Sequence, residues 1–596
     1  MKRLFAFFLI AALFLTGCQS EAATSTEGAA LSSPEQALTD NGSVEYTPVD
    51  TTDLFSDRDY KTDYNPSACT LINLSDTGTG TVTITKEGSY LISGKLTDGM
   101  ILVDTDKQSK VQLILDGAQI HSVSSAPIYI RQADKVFITL ADGSQNNLSN
   151  GGSFEAIDEN EIDSVIFSKE DLTLNGSGLL TVTSPAGHGI ISKDDLRITG
   201  GIYEITASGH GLCGKDAVSI AGGDFTIESG KDGIQADNNE DAALGTLYIA
   251  AGNYHITSTG DGISASGSFH IEGGNYTLLC GGGSEYGEEH TDDMFGGGMG
   301  GMGGFGPGRP GGRNTDYSLN ATTTEDSSVS AKGLKATGYL TVAGGTFSIN
   351  SADDAVHSNN NLTVAGGVFQ IATGDDGFHA DEALKIGSGT ITITESYEGL
   401  EGLTITITGG DITLKASDDG LNAAGGNDES GFGGMGGRPG GMGGFGQDQF
   451  GASSDSFIEI SGGKLFVDAD GDGIDSNGNL TFSGGYTVVE GPTNGGNGPL
   501  DYGGTGSLSG GTIIISGSAG MAQSLNSTGL QGVFAINVGS CEGGTEISIT
   551  DASGTEVLTV TPQKYFGCII VSTPDILKGE SYTIHLNGES ATFDAQ

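Results

Sequence analysis

The residues best placed to do chemistry in this 596-residue chain are carboxylates that recur beside glycine. Asp232-Gly-Ile, Asp261-Gly-Ile, Asp376-Gly-Phe, Asp419-Gly-Leu and Asp472-Gly-Ile repeat a single turn motif. Asp353, Asp354, Asp375, Glu398, Asp418, Asp470 and Asp475 fall at or beside equivalent positions, and Asp381 follows closely. Gly333, Ala355, Gly377 and Gly399 succeed one another at steps of 22 residues, so these acids return at a fixed phase. Two carboxylates stacked about 4.8 Å apart repel by ~3.5 kcal/mol at an effective dielectric of 20 and ~0.9 kcal/mol in water. Calcium, which takes six to eight hard oxygen ligands, would relieve that repulsion. Solvation of an acidic ridge is the alternative. The calcium reading makes all thirteen of these acids candidate ligands.

Asp468-Ala-Asp-Gly-Asp-Gly-Ile-Asp begins like an EF-hand loop, but its twelfth position is Asn479 rather than Glu and strand-like sequence flanks it. It reads as a metal-capable turn. His357 and His379 stand two residues beyond the turn on successive repeats. With no Cys partner at ligand spacing they argue against zinc and are expected to face solvent or a sugar. A polysaccharide lyase needs a Lys or Arg base beside its calcium. Lys332, Lys335 and Lys385 lie near the acidic turns in sequence, yet nothing marks one as a base, and exposed lysines are expected. Lys335 and Lys385 join the two histidines as candidate sugar contacts, and no catalytic residue is assigned.

The elements that must position these groups are short strands. Gly-Gly followed by alternating apolar residues recurs at Gly200, Gly222, Gly273, Gly344 and Gly366. One inward column reads Tyr203, Phe225, Tyr254, Tyr276, Phe347, Phe369, Ile391, Ile412, and the next reads Ile205, Ile227, Ile256, Leu278, Ile349, Ile371, Ile393, Leu414. Like residues at one coil position bury a continuous core and pair each strand with the coils above and below. The expected fold is therefore all-β, a right-handed single-stranded parallel β-helix over residues 51–518. Residues Thr346, Ser348, Thr390, Thr392, Thr394, Asp411 and Thr413 should form a polar outer face, suited to a polysaccharide or to solvent. Gly-dense segments at 281–313 and 425–455 break the repeat as insertions, and 519–596 reads as a small β cap.

At the amino terminus Lys2 and Arg3 precede an apolar run and Leu15-Thr16-Gly17-Cys18. Residues 1–17 read as a lipoprotein signal peptide, Cys18 as the lipidated first mature residue, and 18–50 as a flexible tether. The body then works at the extracellular face of the cell membrane, touching the membrane through its lipid anchor only, as a monomer. The remaining cysteines number five, and Cys541 and Cys568, which share the C-terminal segment, are the candidate pair for a bridge. The net charge of −51 excludes nucleic acid as partner, because phosphate binding needs clustered Lys and Arg. The chain holds 102 Gly and no Trp, so any sugar stacking must rest on Tyr, Phe or His.

A series of short motifs runs in order along nearly the whole mature chain: Asp53-Leu-Phe-Ser-Asp-Arg-Asp-Tyr, Lys110-Val-Gln-Leu-Ile-Leu-Asp-Gly, Asp134-Lys-Val-Phe-Ile-Thr-Leu, Asp171-Leu-Thr-Leu-Asn-Gly, Gly187-His-Gly-Ile, Lys231-Asp-Gly-Ile and Ser572-Thr-Pro-Asp-Ile-Leu-Lys-Gly. In these the chain resembles the carbohydrate-binding, pectate-lyase-like β-helix lipoproteins. Gln235 and Ala355 depart from the commoner residue types of their columns. The resemblance implies an extracellular, calcium-binding β-helix that binds plant-type polysaccharide such as cellulose or pectin. Bound calcium would let so acidic a chain approach an acidic polymer. A calcium-dependent pectate lyase is the enzymatic alternative, with a non-catalytic adhesin or surface spacer as the third.

Overall fold

The computed structural model describes residues 48–238, 240–241, 243–287, 330–424 and 455–596. They belong to one compact unit, Asp40–Gln596. The signal peptide, Cys18, nearly all of the tether and most of both Gly-rich insertions lie outside the described residues. Among those described, no helix is long and apolar enough to cross a membrane.

The repeat folds as a parallel β-helix. A coil contributes three short strands, as in Val356–Ser358, Leu362–Val364 and Val368–Thr373. Each pairs in parallel with its counterpart one coil on: Val356 with Phe378, Leu362 with Leu384, Phe369 with Ile391. Alternating burial follows from the pleat, so that Thr346–Ser351 buries Phe347, Ile349 and Ser351 and exposes the residues between them.

Both expected inward columns are buried. The aromatic rings from Tyr203 to Phe369 stack coil on coil at centroid separations of 5.1, 5.0, 4.7, 4.6 and 4.5 Å, with planes within 10° of parallel. Each buried tyrosine hydroxyl of this stack donates to a turn carbonyl (Tyr203 to Gly200, Tyr254 to Ala251, Tyr276 to Gly273), so none is stranded in the apolar interior. The second glycine of each pair shapes the turn beside this stack. Gly345 has φ +117°, and a Cβ there would stand 3.0 Å from the Phe347 ring.

Residues 51–61 are not a coil. They cross the flank of the solenoid as a strap whose anchor is Asp59, fully buried. The Asp59 carboxylate meets Lys135 at 2.7 Å and accepts from Thr173 at 2.6 Å. Asn175 and Thr199 donate to its carbonyl, and Arg197 donates to that of Leu54. Burial opposes ionisation of Asp59, but Lys135, Thr173 and Ser56 outweigh it and hold the pKa at about 2.

At the other end, Ile513–Gly517 pairs antiparallel with Cys568–Ser572, which covers the last open strand edge. A second antiparallel sheet, Ile547–Thr550, Glu556–Val560, Ser581–Leu586 and Glu589–Asp594, packs around Phe534, Phe566 and Tyr582. Cys541 and Cys568, candidates for a bridge, are both free thiols. Their strands pair with Cys541 opposite Phe566 and Cys568 opposite Asn537, so the register never brings the two sulfurs together.

Candidate functional site

The turn acids form a ladder with a backbone purpose. In successive coils one position holds His188, His210, Asp232, Asp261, Lys332, Asp354, Asp376, Glu398, Asp419 and Asp472, and the carbonyls of these residues from His210 onward each accept an amide from the coil before. The side chain at this position accepts the N–H of its counterpart one coil on: Asp232 from Asp261, Asp261 from Lys332, Asp354 from Asp376, Asp376 from Glu398, Asp419 from Asp472. Asp472 accepts from Gly498 in the same way. The two histidines do so through Nδ1, His188 from His210 and His210 from Asp232. A ring that must accept at Nδ1 is kept neutral there. Burial, His188 and Lys231 accordingly push His210 down to about 3. The ladder thus satisfies buried turn amides, and carboxylates satisfy them best because the bond is charge-assisted.

One carboxylate oxygen per rung remains after that bond, and the rungs differ in what meets it. Lys332 occupies a rung itself. Expected as an exposed lysine, it is instead 2% exposed, with Nζ bridging Asp353 and Asp354 Oδ2, the latter at 2.6 Å. The phase explains this. Lys332 precedes Gly333 as Asp232 precedes Gly233, so its side chain enters a column of acids. Burial disfavours its ammonium, but Asp354 and Asp353 outweigh that and raise its pKa.

His357 and His379, expected to face solvent or a sugar, are likewise buried at 2% and 0% exposure. They stand in register one coil apart, stacked at 4.7 Å, with Glu401 next in the column. His357 Nδ1 meets Asp354 Oδ2 at 2.7 Å. His379 Nδ1 faces Asp376 Oδ2 at 3.0 Å and Glu401 Oε2, while its Nε2 faces Asp381 at 3.3 Å. Burial opposes charge on this ring, but the three carboxylates overcome it and hold His379 well above the ordinary histidine value. Burial, Glu401 and Asp375 push Asp376 well up. Burial acts against Asp354 too, yet Lys332 and His357 hold it well below the usual range.

The following rungs are different in kind. They carry Glu398, Asp419 and Asp472, with Asn422 in register beside Asp475. Asn422 donates to Glu398 Oε1 at 2.8 Å, which leaves Glu398 Oε2 and Asn422 Oδ1 buried without a hydrogen-bond partner. One oxygen from each of Asp419, Asp472 and Asp475 lies within 4.8 Å of the other two. Burial, Glu401 and Asp419 push Glu398 well up; burial, Asp418 and Asp472 do so to Asp419. Burial and neighbouring acids take Asp475 to about 7 and Asp472, despite the Gly498 amide, to about 6. Buried, orphaned oxygens on a set of hard donors fit a hard divalent cation.

Other expected site residues lie apart. Asp470 bonds Lys564 at 2.9 Å, and Asp468 shares that lysine, so this half of the EF-hand-like stretch pins the C-terminal segment to the coils. Lys385 sits in the second strand of its coil, in register with Thr363 and Thr406, not beside the acidic turns. Lys335 is in the histidine column and bonds Ser330 and Asp261. Asp232, pushed up to about 7 by burial and Asp261, also accepts from Ser264. Asp375 is buried within reach of Asp353 and Asp354. The third strand of each coil presents the expected polar face, with Thr346, Ser348, Thr390, Asp411 and Thr413 exposed. At its edge an open groove of ≈ 490 Å³ runs along Glu228, Ser229, Thr257, Ser258 and Gly281.

A family model described as carbohydrate-binding domain-containing protein matches residues 78–377, half of the chain. The chain belongs to the carbohydrate-binding domain-containing family. A relative of that description from Acetivibrio thermocellus is 44% identical over 128 residues, 21% of this chain. The chain spans 45% of that relative's length. A solved structure, of the polysaccharide lyase-like protein from C. thermocellum (gadolinium derivative), shares 40% identity over 34% of this chain and 82% of its own, with a TM-score of 0.33. The matched region of the family model takes in the solenoid from Gly78 to the rung of Asp376.

Proposed function

We propose that this chain is a calcium-dependent polysaccharide-binding protein, held as a single chain at the outer face of the cell membrane by a lipid on Cys18. The observation that carries the reading is the oxygen cluster of Asp419, Asp472 and Asp475, with Glu398 Oε2 and Asn422 Oδ1, on neighbouring coils, buried without a partner. Calcium there would supply positive charge to an acidic face and could bridge protein carboxylates to those of a polyuronate such as pectin. The exposed Thr and Ser face offers hydroxyls to the sugar hydroxyls of that chain or of cellulose.

Binding is favoured over lyase chemistry by the lysines. A lyase base must give up its proton near neutral pH. Lys332, however, is locked as an ammonium by two carboxylates, and Lys335 is held by Ser330 and Asp261. Lys385 lies at the far end of strand Phe378–Ile386, beside Thr363 and Thr406. The test is sedimentation of cellulose and binding of polygalacturonate in calcium and in EDTA, with ultraviolet absorbance followed in the same tubes. Binding that is lost in EDTA without any rise in absorbance is the expected result. Unsaturated products would establish the lyase, and binding unaffected by EDTA would remove calcium from the mechanism.

A further inference from the structure

The histidine rungs offer a donor set unlike that of the oxygen-bearing rungs that follow them. We propose that His357 and His379, with Asp354, Asp376 and Glu401, form a second metal site, selective for a borderline divalent ion of the zinc, cobalt or nickel type rather than calcium.

Three observations support it. First, the donors converge from three successive coils. The donor atoms of Asp376, His379 and Glu401 lie within 4.8 Å of one another, as do those of Asp354, His357 and His379, and His379 belongs to both triads. A tetrahedral ion with bonds of ~2.0–2.1 Å separates its donors by ~3.3 Å. Binding would therefore part pairs now in direct contact, His357 Nδ1 with Asp354 Oδ2 at 2.7 Å and His379 Nδ1 with Glu401. Second, His379 is oriented as a metal-bound histidine is. Its Nε2 side is held by Asp381 at 3.3 Å, which turns Nδ1 toward Asp376 and Glu401. A carboxylate on the far ring nitrogen is the usual outer partner of a ligating imidazole.

Third, the charge is unbalanced. Asp353, Asp354, Asp381 and Glu401 surround the imidazoles beside Asp376 and Asp375, and the cationic groups that meet them are the Lys332 ammonium and the His379 ring, whose charge those carboxylates favour. A dipositive ion restores most of the deficit in a place that excludes water from both rings. Imidazole nitrogen selects the ion. Calcium takes oxygen donors, whereas imidazole with carboxylate suits zinc and its first-row neighbours. Asp381, with its side chain 31% exposed, marks the side from which an ion can enter.

The two sites can be told apart. The full chain, stripped with EDTA and returned to metal-free buffer, is titrated with zinc chloride by calorimetry with excess calcium present, and with cobalt chloride by visible absorption. The expected results are one zinc bound despite calcium, a cobalt spectrum with nitrogen ligation, and at least ~100-fold weaker zinc binding in His379→Ala, more than an outer-partner loss would give. Calcium binding by that variant should be unchanged, and Glu398→Gln should show the reverse pattern. Because His379→Ala removes a ring stacked on His357, Glu401→Gln, which keeps both rings, provides a second variant with the same expectation for zinc. Zinc bound no more tightly by the wild type than by these variants, or displaced by millimolar calcium, would overturn the site and show a buried ion-pair network only. That result would leave the calcium reading of the oxygen cluster standing.

Discussion

Lys332→Met removes the ammonium that lies between Asp353 and Asp354 and leaves their carboxylates buried without it. Asp354 is fully buried, and Lys332 sits 2.6 Å from its Oδ2. Breaking a buried pair by deleting one partner costs about 3–5 kcal/mol. Lys332 has its pKa raised on folding, so its contribution is complete below the ordinary lysine value. Asp354 has its pKa lowered, so its contribution is complete above the ordinary aspartate value. At pH 7 both are fully present. A solenoid is stabilised coil by coil, so the loss should be local. Native-state hydrogen exchange read by mass spectrometry is therefore the assay. Amides of peptides spanning 330–380 should exchange faster by about two to three and a half orders of magnitude, at 1.4 kcal/mol per decade, while those of 170–210 stay unchanged. Adding Asp354→Asn to Lys332→Met should recover part of the loss, because the stranded charge is gone. Exchange within ~3-fold of wild type in 330–380, or a double variant no better than the single, would refute the reasoning.

Asp59→Asn should free the strap at residues 51–61, since Lys135 then lacks its counter-charge; trypsin cleavage at Arg58 and Lys61 should accelerate by about 100-fold, the low end of the cost of a broken buried pair. In EDTA, stability should fall as pH rises. Asp232, Asp472 and Asp475 titrate at about 7, 6 and 7 when folded, above the ordinary 3.8, so the folded chain binds more protons than the unfolded one between pH 4 and 7. The slope is at most ~1.4 kcal/mol per pH unit for each group, less where solvent reaches it. The lowered acids Asp59 and Asp354 act below pH 4. His188, His210, His270 and His357, lowered by burial, oppose the fall below pH 6.5. They are outnumbered once Asp376, Glu398 and Asp419, raised well up, join the three acids. Thermal melts at pH 4.5 and 7.5 should show the fall in EDTA and its reversal in calcium, and a Tm that rises with pH in EDTA would contradict it.

The fold was legible because its signals are repeated. The Tyr203 and Ile205 columns recur at one phase, and each copy averages out local noise. The acid ladder was legible as a pattern but not in its purpose: that its aspartates accept the next coil's amide, as Glu398 does not, depends on a backbone geometry that spacing does not specify. His188 and His210 went unrecognised as rungs because they share the acceptor role and not the charge. Lys332 was misjudged on residue type, although Gly333 fixed its phase. The position of His357 and His379 beyond the turn, with no Cys partner, suggests exposed rings, yet the neighbouring acids and Glu401 fold over them. Glu401 and Asn422, two residues past their own turns as the histidines are, could have been found by extending that column. The Asp59 strap joins residues more than 110 positions apart, beyond any periodic signal.

The central claim is that one bound calcium links the oxygen cluster to a polysaccharide. Linkage requires that the polymer and the ion raise each other's affinity by the same factor. Calorimetric titration of the metal-free protein with calcium, alone and with saturating soluble polygalacturonate, measures it directly. The account predicts tighter calcium binding with the polymer present, by the factor by which calcium tightens polymer binding, and loss of that coupling in Asp419→Asn. Equal calcium affinity with and without the polymer, or coupling that survives in the variant, would contradict it.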